Sequence, residues 1–369
     1  MSSPRRRAFQ VFSLTLAIGL VGVAVIVYKV AGYPDRAAGA ARGTVEVEIP
    51  RGAGAQRVSE LLVGAGLIER AAFFRLYAGQ RGAASRFRPG HYKFEAPVTP
   101  RQLVDLLVKG VADELVAVTI PEGKNMIEVA EILEAAGIAG KAELLAQAVD
   151  PIFVKSLDLP GRSLEGYLFP DTYKLRPHSQ PDRVLTVLVR RHRQVFDELR
   201  SANPTGANYL RTKLKFDDSA VVTLASIVEK ETGQPQERPR IAQVFINRLI
   251  KSTFKPKLLQ TDPTITYGCT VAPAFLGVAS PACQKWDGRI HRIHLDDAAN
   301  PYNTYTHEGL PPGPIANPGR AALFAVFRPD GTNFLYFVAK NDGTHQFSAT
   351  VGEHEAAVTK YQRAGKATP

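Results

Sequence analysis

The sequence predicts an α+β protein with a single membrane-spanning helix at its N-terminus. Three observations support this fold class. An uncharged segment of 20 residues lies close to the N-terminus. A pattern of strand, turn and helix then occurs twice, 71 residues apart. In the last third, helical patterns are followed by long Gly/Pro loops and by short strand patterns, a mixture that is typical of α+β proteins.

The N-terminal segment has the length and charge pattern of a membrane anchor. Residues 8–27 carry no charge and follow Arg5, Arg6 and Arg7. As a helix they would extend about 30 Å, enough to cross the bilayer core. The preceding positive charge predicts a cytoplasmic N-terminus and an extracytoplasmic remainder. The alternative is a cleaved signal peptide, since small residues follow at positions 37–41, but the apolar run exceeds the usual length for one. We therefore assign a tail (1–7), a transmembrane helix (8–30) and a linker (31–43).

Each copy of the repeat predicts a short strand, a Pro/Gly turn and an amphipathic helix ended by glycine. The matching segments are 47–52, 58–62 and 65–68 in the first copy, and 118–123, 129–133 and 136–138 in the second. Between them, residues 88–94 resemble a turn and a strand, and residues 99–108 a helix. We expect a small module at 44–118, which either binds a ligand or acts as a spacer. The second copy and a connecting region then occupy 119–210.

Composition and net charge indicate which classes of binding partner the protein favours. The 369 residues suggest two or three domains, and the net charge is +11 with a pI near 9.6. Such a balance favours nucleic acid, an acidic membrane surface or an acidic polymer such as the bacterial wall, unless the excess is only solvated surface. Zinc-finger spacing, a basic zipper and RNP-like motifs are all missing from the sequence, so nucleic acid has no specific support.

Neither the cysteines nor the histidines identify a catalytic or metal site. Cys269 and Cys283 could form a disulfide in an exported chain or remain as free thiols. His291 and His294 are three residues apart, but no HExxH or paired-cysteine pattern accompanies them. We predict no metal and no cofactor.

The clearest local signal begins the third domain, which we place at 211–369. Asp217, Asp218 and Ser219 offer N-cap side chains to a helix at 220–228, where hydrophobic residues occur on every side, so this helix should be buried. It ends in Glu229-Lys230-Glu231, with Gly233 as the expected stop. Pro235 would begin the next helix, at about 235–251.

Glu231 has the properties of a proton donor. Two residues apart on a helix, Glu229 and Glu231 cannot share a face. Glu231 lies over Ile227 and Val228, and both apolar burial and the negative end of the helix dipole raise the pKa of a carboxyl group. A glutamate protonated near neutral pH can donate a proton to a leaving group. The alternative is a charged surface cluster that merely closes the helix.

Several loop segments have the composition of binding sites. An aromatic loop at 164–173 precedes a helix at about 181–199. Residues 259–264 form a polar turn with a second carboxylate, and residues 300–305 pair two tyrosines with amide and hydroxyl groups. A rigid Gly/Pro loop at 309–319 leads to a strand at 334–339, a turn at Asp342-Gly343 and a returning strand at 345–347.

These residues together resemble the MltG (YceG-like) endolytic murein transglycosylases. The matching segments are 224–232, 244–249, 259–264, 302–305, 309–316 and 165–173. The layout is similar too, with one N-terminal span and a LysM-like module ahead of the catalytic part. The chain departs from the pattern in an insertion at 252–257 and in the segment that holds the two cysteines, which leaves the shape of that loop open.

The resemblance implies a reaction and a set of site residues. The second glutamate of the Glu-Lys-Glu, Glu231, would be catalytic. The family cleaves the β-1,4 bond between N-acetylmuramic acid and N-acetylglucosamine without water, leaves a 1,6-anhydromuramyl end, and is thought to terminate nascent glycan strands. The residues that we expect to orient the sugar are Gln260, Asp262, Tyr302, Asn303 and Tyr305.

Partners and location follow from the same resemblance. We expect peptidoglycan glycan strands as substrate, peptidoglycan synthases (penicillin-binding proteins) as partners, and a single-pass protein of the bacterial inner membrane with a periplasmic catalytic domain. The alternatives are a lysozyme-type muramidase, with Asp262 or Glu237 as second carboxylate, and a non-enzymatic wall-binding scaffold.

Overall fold

The computed structural model describes residues 31–37, 39–50, 52–110 and 115–363, which form two compact units divided between residues 114 and 115. The predicted transmembrane helix lies outside the described residues. Among those that are described, no helix combines the length and the apolar character that a membrane span needs.

The first unit packs three helices on one face of a two-stranded sheet. Strands β1 and β2 are antiparallel, with Gly43 opposite Ala96 and Ile49 opposite Gly90. Alternate strand residues such as Val47 and Phe94 point into the core that the helices cover. The elements are, in order, β1 (Gly43–Ile49), α1 (Ala55–Gly64), α2 (Ala71–Gln80), β2 (Gly90–Ala96) and α3 (Pro100–Lys109). The predicted strand and helix near residues 90 and 100 are present, whereas α2 was not predicted.

The second unit begins with a similar order of elements, a strand followed by helices and an antiparallel partner strand. Its strands pair antiparallel with Val116 opposite Leu175, and both Gly66 and Gly137 have a left-handed φ after the first helix of their copy. The elements are β3 (Val116–Thr119), α4 (Met126–Ala135), α5 (Lys141–Ala148), α6 (Pro151–Ser156) and β4 (Thr172–Leu175). The 71-residue repeat in the sequence therefore corresponds to a strand followed by two helices in each copy, and the second copy has one further helix, α6, before its closing strand.

A buried helix runs through the second unit. This helix, α9 (Asp218–Glu231), is capped by Asp217, whose side chain accepts a hydrogen bond from the Ala220 N–H at 2.8 Å. The eight residues 221–228 are all buried, as the all-round hydrophobic pattern predicts. The helices around it are α7 (Pro181–Ala202), α8 (Pro204–Lys213), α10 (Arg238–Ile250) and α14 (Arg320–Phe327). One core includes buried residues from 118 to 347, on both sides of the predicted boundary at 210.

The connection from α9 to α10 differs from the prediction. Gly233 has no left-handed φ, and the helix ends because Thr232 is extended and its Oγ1 accepts a hydrogen bond from the Gln234 N–H at 3.0 Å. Helix α10 begins at Arg238, with Pro239 in its first turn, while residues 235–237 form a turn.

The C-terminal part supplies loops and a hairpin. Its elements are α11 (Asp262–Thr270), α12 (Pro273–Leu276), α13 (Arg292–Leu295), β5 (Tyr336–Ala339), β6 (His345–Ser348) and α15 (Val351–Val358). The predicted polar turn at 259–264 is shorter than expected, because the helix begins at Asp262. A disulfide joins Cys269 of α11 to Cys283, which settles the question that the sequence left open.

Candidate active site

Helix α9 delivers Glu231 to the start of α11. The Thr261 hydroxyl donates a hydrogen bond to Oε1 of Glu231. Burial is the main influence on this carboxyl group and raises its pKa. The hydrogen bond from Thr261 opposes that rise, while the negative charge of Asp262 adds to it. Glu231 is thus biased towards its protonated form and still partly exposed to solvent.

The loop before α11 is fastened to the segment that contains the two predicted tyrosines. Gln260 adopts a left-handed φ of 53°, and its N–H donates to the Thr304 carbonyl at 3.1 Å. The Thr261 N–H donates to Oγ1 of Thr304 at 3.0 Å. These bonds fix the position of the Thr261 hydroxyl that contacts Glu231.

A second side-chain hydrogen bond of the site joins Asp262 and Tyr305. The Tyr305 hydroxyl donates to Oδ1 of Asp262 at 2.6 Å. Burial and the neighbouring carboxylate both raise the pKa of Tyr305, so it remains a donor at neutral pH. The structure therefore brings together four of the predicted site residues, Glu231, Gln260, Asp262 and Tyr305, on a solvent-accessible surface.

Tyr302 and Asn303 are placed differently from the prediction. Asn303 is fully buried, and its Nδ2 donates to the carbonyls of His294, Leu295 and Asp297, while its Oδ1 accepts from the Tyr305 N–H. Tyr302 is buried with its ring 4.9 Å from that of Tyr267. With no solvent-facing surface for a ligand, these two side chains hold the loop that presents Tyr305.

Besides Thr261, two more polar residues that influence Glu231 were not predicted as site residues. Arg248 is buried in α10, where its Nε donates to the Leu335 carbonyl at 2.7 Å, and its positive charge lowers the pKa of Glu231. His345 acts on Glu231 in the same direction. For Arg248 the sequence does hold a signal, because this basic residue stands in a helix that also contains Val244, Phe245 and Ile246.

Glu237, the alternative second carboxylate, is engaged by the β5–β6 hairpin. Its Oε1 accepts from the His345 N–H at 2.9 Å, and its Oε2 lies 2.7 Å from Nδ1 of the same histidine. Both of its oxygens therefore have protein partners.

Glu229 faces away from this site, as the two-residue spacing predicts. Its Oε1 pairs with Nη2 of Arg238 at 2.7 Å, and its Oε2 accepts from the Gly319 N–H at 3.0 Å. The Lys230 ammonium donates to the Gly123 carbonyl at 3.2 Å. The last turn of α9 is thus held by α10, by the start of α14 and by the turn of the second repeat.

A second buried carboxyl group, Glu165, lies in the aromatic loop before α7. Its Oε2 accepts from the Met126 N–H at 3.0 Å and its Oε1 from Nδ2 of Asn317 at 3.2 Å. Burial raises its pKa to about 8. Its side chain is 2% exposed, so it joins elements of the core and does not face the Glu231 surface.

The histidine pair of the sequence lies outside this surface. Nε2 of His291 lies 2.9 Å from Asp287, and Nδ1 of His294 accepts from the His291 N–H. Within the described ranges, the structure has no group of three potential metal ligands.

Comparison with known proteins identifies relatives along most of the chain. The model of the YceG-like family matches residues 47–360. The endolytic murein transglycosylase of Bacillus subtilis strain 168 is 30% identical over 333 residues, which cover 86% of this chain and 85% of that protein. The endolytic murein transglycosylase of Streptococcus pneumoniae strain D39 is 27% identical over 348 residues, and there the chain spans only 58% of its relative.

A solved structure agrees with these matches. The crystal structure of a YceG-like protein from Listeria monocytogenes is 29% identical and superposes with a TM-score of 0.52, covering 86% of this chain and 99% of that one. Since the family model covers well over half of the sequence, the chain belongs to the YceG-like family.

Proposed function

We propose that the protein is an endolytic murein transglycosylase that uses Glu231 as both acid and base. The relatives from B. subtilis and S. pneumoniae carry that name. The observation that carries the assignment to Glu231 is its position: a carboxyl group with a raised pKa, at the end of a buried helix, in contact with Thr261 and next to Asp262. Other glutamates of the same region, Glu229 and Glu237, are occupied by protein partners.

In the first step Glu231 is the acid. The protonated carboxyl group donates its proton to the oxygen of the β-1,4 bond as the bond from C1 of N-acetylmuramic acid breaks. The departing N-acetylglucosamine end leaves as an alcohol. The Thr261 hydroxyl stabilises the carboxylate that forms, because its hydrogen bond favours the charged state.

In the second step the same carboxylate is the base. It removes the proton from the C6 hydroxyl of the muramyl residue, whose oxygen then bonds to C1 and closes the 1,6-anhydro ring. Glu231 is protonated again, and no water is consumed. One carboxyl group suffices, so the reaction does not need the pair of carboxylates that ordinary glycosidases use.

Sugar contacts are proposed for the exposed part of the site. Asp262 and Tyr305 lie near Glu231, and Gln260 is exposed next to Thr261, so these residues offer carboxylate, hydroxyl and amide groups to sugar hydroxyls. Tyr302 and Asn303 would act indirectly, by fixing the loop that carries Tyr305.

The surroundings of the enzyme are also part of the proposal. The apolar run at 8–27 and the arginines before it support a single-pass anchor with the catalytic unit outside the membrane. The β-α-α-β order of the first unit supports a LysM-like module. A position at the membrane would place the enzyme where synthases release nascent strands, and the net charge of +11 suits an acidic wall polymer.

Product analysis tests the function and the residue together. Full-length protein is incubated with glycan strands, and the released fragments are identified by mass spectrometry. We expect 1,6-anhydromuramyl ends from the wild type and from the control Glu143→Gln, an exposed glutamate of α5, and a loss of about 10²-fold or more with Glu231→Gln. Reducing ends would mean hydrolysis, and undiminished activity of Glu231→Gln would move the acid/base role to another residue.

A further inference from the structure

Helix α2 presents an apolar stripe to solvent. Ala72, Phe73, Leu76 and Gly79 are exposed, with 42% of Phe73 and 51% of Leu76 accessible. Phe73, Leu76 and Gly79 follow Ala72 by one, four and seven positions, and this spacing places all four residues on one side of the helix. The other side, with Phe74, is buried in the core of the first unit. Large apolar side chains gathered on one exposed face indicate a surface that has a partner.

The chain that enters the first unit is fixed beside this stripe. The Tyr33 ring lies 5.8 Å from the Phe73 ring and 6.4 Å from the Tyr77 ring. Two residues later, the carboxylate of Asp35 accepts two hydrogen bonds from the Arg101 guanidinium, at 2.7 and 2.9 Å. The path of the chain at residues 33–35 is therefore set by contacts with α2 and α3.

This path limits how far the stripe can be from the apolar segment. Only five residues lie between Val27, the last of the uncharged run, and Tyr33. At no more than about 3.5 Å per residue, the end of that run is within about 20 Å of Tyr33. The distance is shorter if the chain is helical there, as Ala31 and Gly32 are. If the run crosses a bilayer, Phe73 lies close to its headgroup layer.

The charges around the stripe suit an anionic surface. Residues 31–110 contain 12 Lys and Arg against 7 Asp and Glu. Arg70 and Arg75 flank the stripe, and the Arg70 guanidinium lies 5.8 Å from the centre of the Phe73 ring. Aromatic and aliphatic side chains bordered by arginine are the combination by which helices lie in the interface of acidic membranes.

We propose that the exposed face of α2 rests in the headgroup layer of the same membrane that the N-terminal segment crosses. This inference depends on the proposed anchor and is independent of the transglycosylase chemistry. It gives the first unit two attachments to the bilayer, the anchor and a lipid-facing helix. The orientation of the first unit is then fixed at the surface, and this face is not available to glycan.

Quenching by brominated lipids tests the contact in the full-length chain. Trp286 is the single tryptophan, so a Trp286→Phe background leaves only an introduced reporter. The reporters are Leu76→Trp on the stripe, Lys93→Trp on the exposed face of the sheet across the core, and Phe12→Trp inside the apolar run. The protein is placed in nanodiscs with anionic lipids, and each preparation is also assayed for anhydromuramyl products.

We expect reporters at positions 76 and 12 to lose about half of their fluorescence or more, as rings at or below the headgroup–acyl boundary do, and the reporter at 93 to be unaffected. An unquenched reporter in Leu76→Trp, together with a quenched reporter in Phe12→Trp, overturns the proposal. Equal quenching at 76 and 93 does so too, as does an unquenched position 12, which removes the anchor. A blue-shifted but unquenched signal at 76 would assign the face to a protein partner, such as a second copy. The product assay reports separately on the enzymatic function.

Discussion

Thr261 donates a hydrogen bond from its hydroxyl to Oε1 of Glu231 and so joins the end of one buried helix to the start of another, across 30 positions of sequence. The bond stabilises the carboxylate, whereas burial stabilises the protonated acid. A residue that must give up a proton and then accept one must be able to adopt both the protonated and the carboxylate form without a large cost in free energy. The pair Thr261–Glu231 supplies that balance.

Replacing Thr261 with valine should move the pH profile. Without the hydroxyl, the carboxylate loses a stabilising bond and the pKa of Glu231 rises further. Because the protonated form is the active acid, the alkaline limb of kcat/KM should move to higher pH. Thr266→Val, at an exposed position of α11, the helix that Thr261 precedes, is the matched control. An unmoved alkaline limb in Thr261→Val would show that this contact does not set the acid.

Substitutions of the two glutamates at the end of α9 should have different effects, one on the stability of the protein and the other on its activity. Glu229 and Arg238 have side chains only 5% and 8% exposed and form an ion pair. Glu229→Gln leaves a buried guanidinium with its main partner charge removed, and breaking such a pair costs about 3–5 kcal/mol. Glu231→Gln, at a partly exposed position, should unfold at nearly the wild-type denaturant concentration and lose activity.

Chemical denaturation and product assays on the same two variants check this separation. Below its unfolding transition, Glu229→Gln should still release anhydromuramyl products. If instead Glu229→Gln were stable and inactive while Glu231→Gln were unstable and active, the roles of the two residues would be reversed.

Local patterns predicted the parts of the fold that depend on neighbouring residues. A helix cap within residues 217–219 follows from the residue types there, and the structure assigns it to Asp217. The all-round burial of 221–228 and the opposite directions of Glu229 and Glu231 follow from helix geometry. The repeat was visible because both copies keep the same spacing of strand, glycine and helix. Helix α2 was missed because Phe73 and Leu76 place apolar residues on its exposed face, which obscures the amphipathic pattern.

Contacts between distant segments could not be predicted in this way. Gly233 and Pro235 have the residue types of a helix stop and a helix start, yet Thr232 ends α9 and Pro239 occupies the first turn of α10. The contact of Thr261 with Glu231 and the burial of Asn303 depend on how loops pack across the unit. The sequence motifs identified the region of the site, and tertiary packing decided which side chains reach its surface.

Reduction of the disulfide should weaken the segment that follows Asp262. Cys269 lies in α11, and its bond to Cys283 closes a loop with a sequence separation of 14. A loop of this size contributes about 3 kcal/mol in the chain-entropy model. The double variant Cys269→Ser/Cys283→Ser should unfold at lower denaturant concentration than the oxidised wild type and should be insensitive to dithiothreitol. An unchanged midpoint on reduction of the wild type would contradict this contribution.

Glu165 should make the second unit less stable as the pH rises. Its pKa is about 8 in the folded protein, because burial disfavours the anion, against 4.5 for the ordinary side chain. Between these two values the folded state holds a proton that the unfolded state has released. The free energy of unfolding then falls with increasing pH, by up to about 1.4 kcal/mol per unit. The stabilisation is complete below the unfolded value and is lost above pH 8.

Glu165→Gln removes this titration while an amide oxygen remains to accept one of the two hydrogen bonds from Met126 and Asn317. As the pH is raised from 5 to 8, the free energy of unfolding of the variant should therefore increase relative to that of the wild type, even if the variant is less stable at pH 5. Urea unfolding at several pH values measures the difference, with the exposed Glu143→Gln as control. Parallel pH profiles for wild type and Glu165→Gln would mean that Glu165 is already ionised in the folded protein at neutral pH.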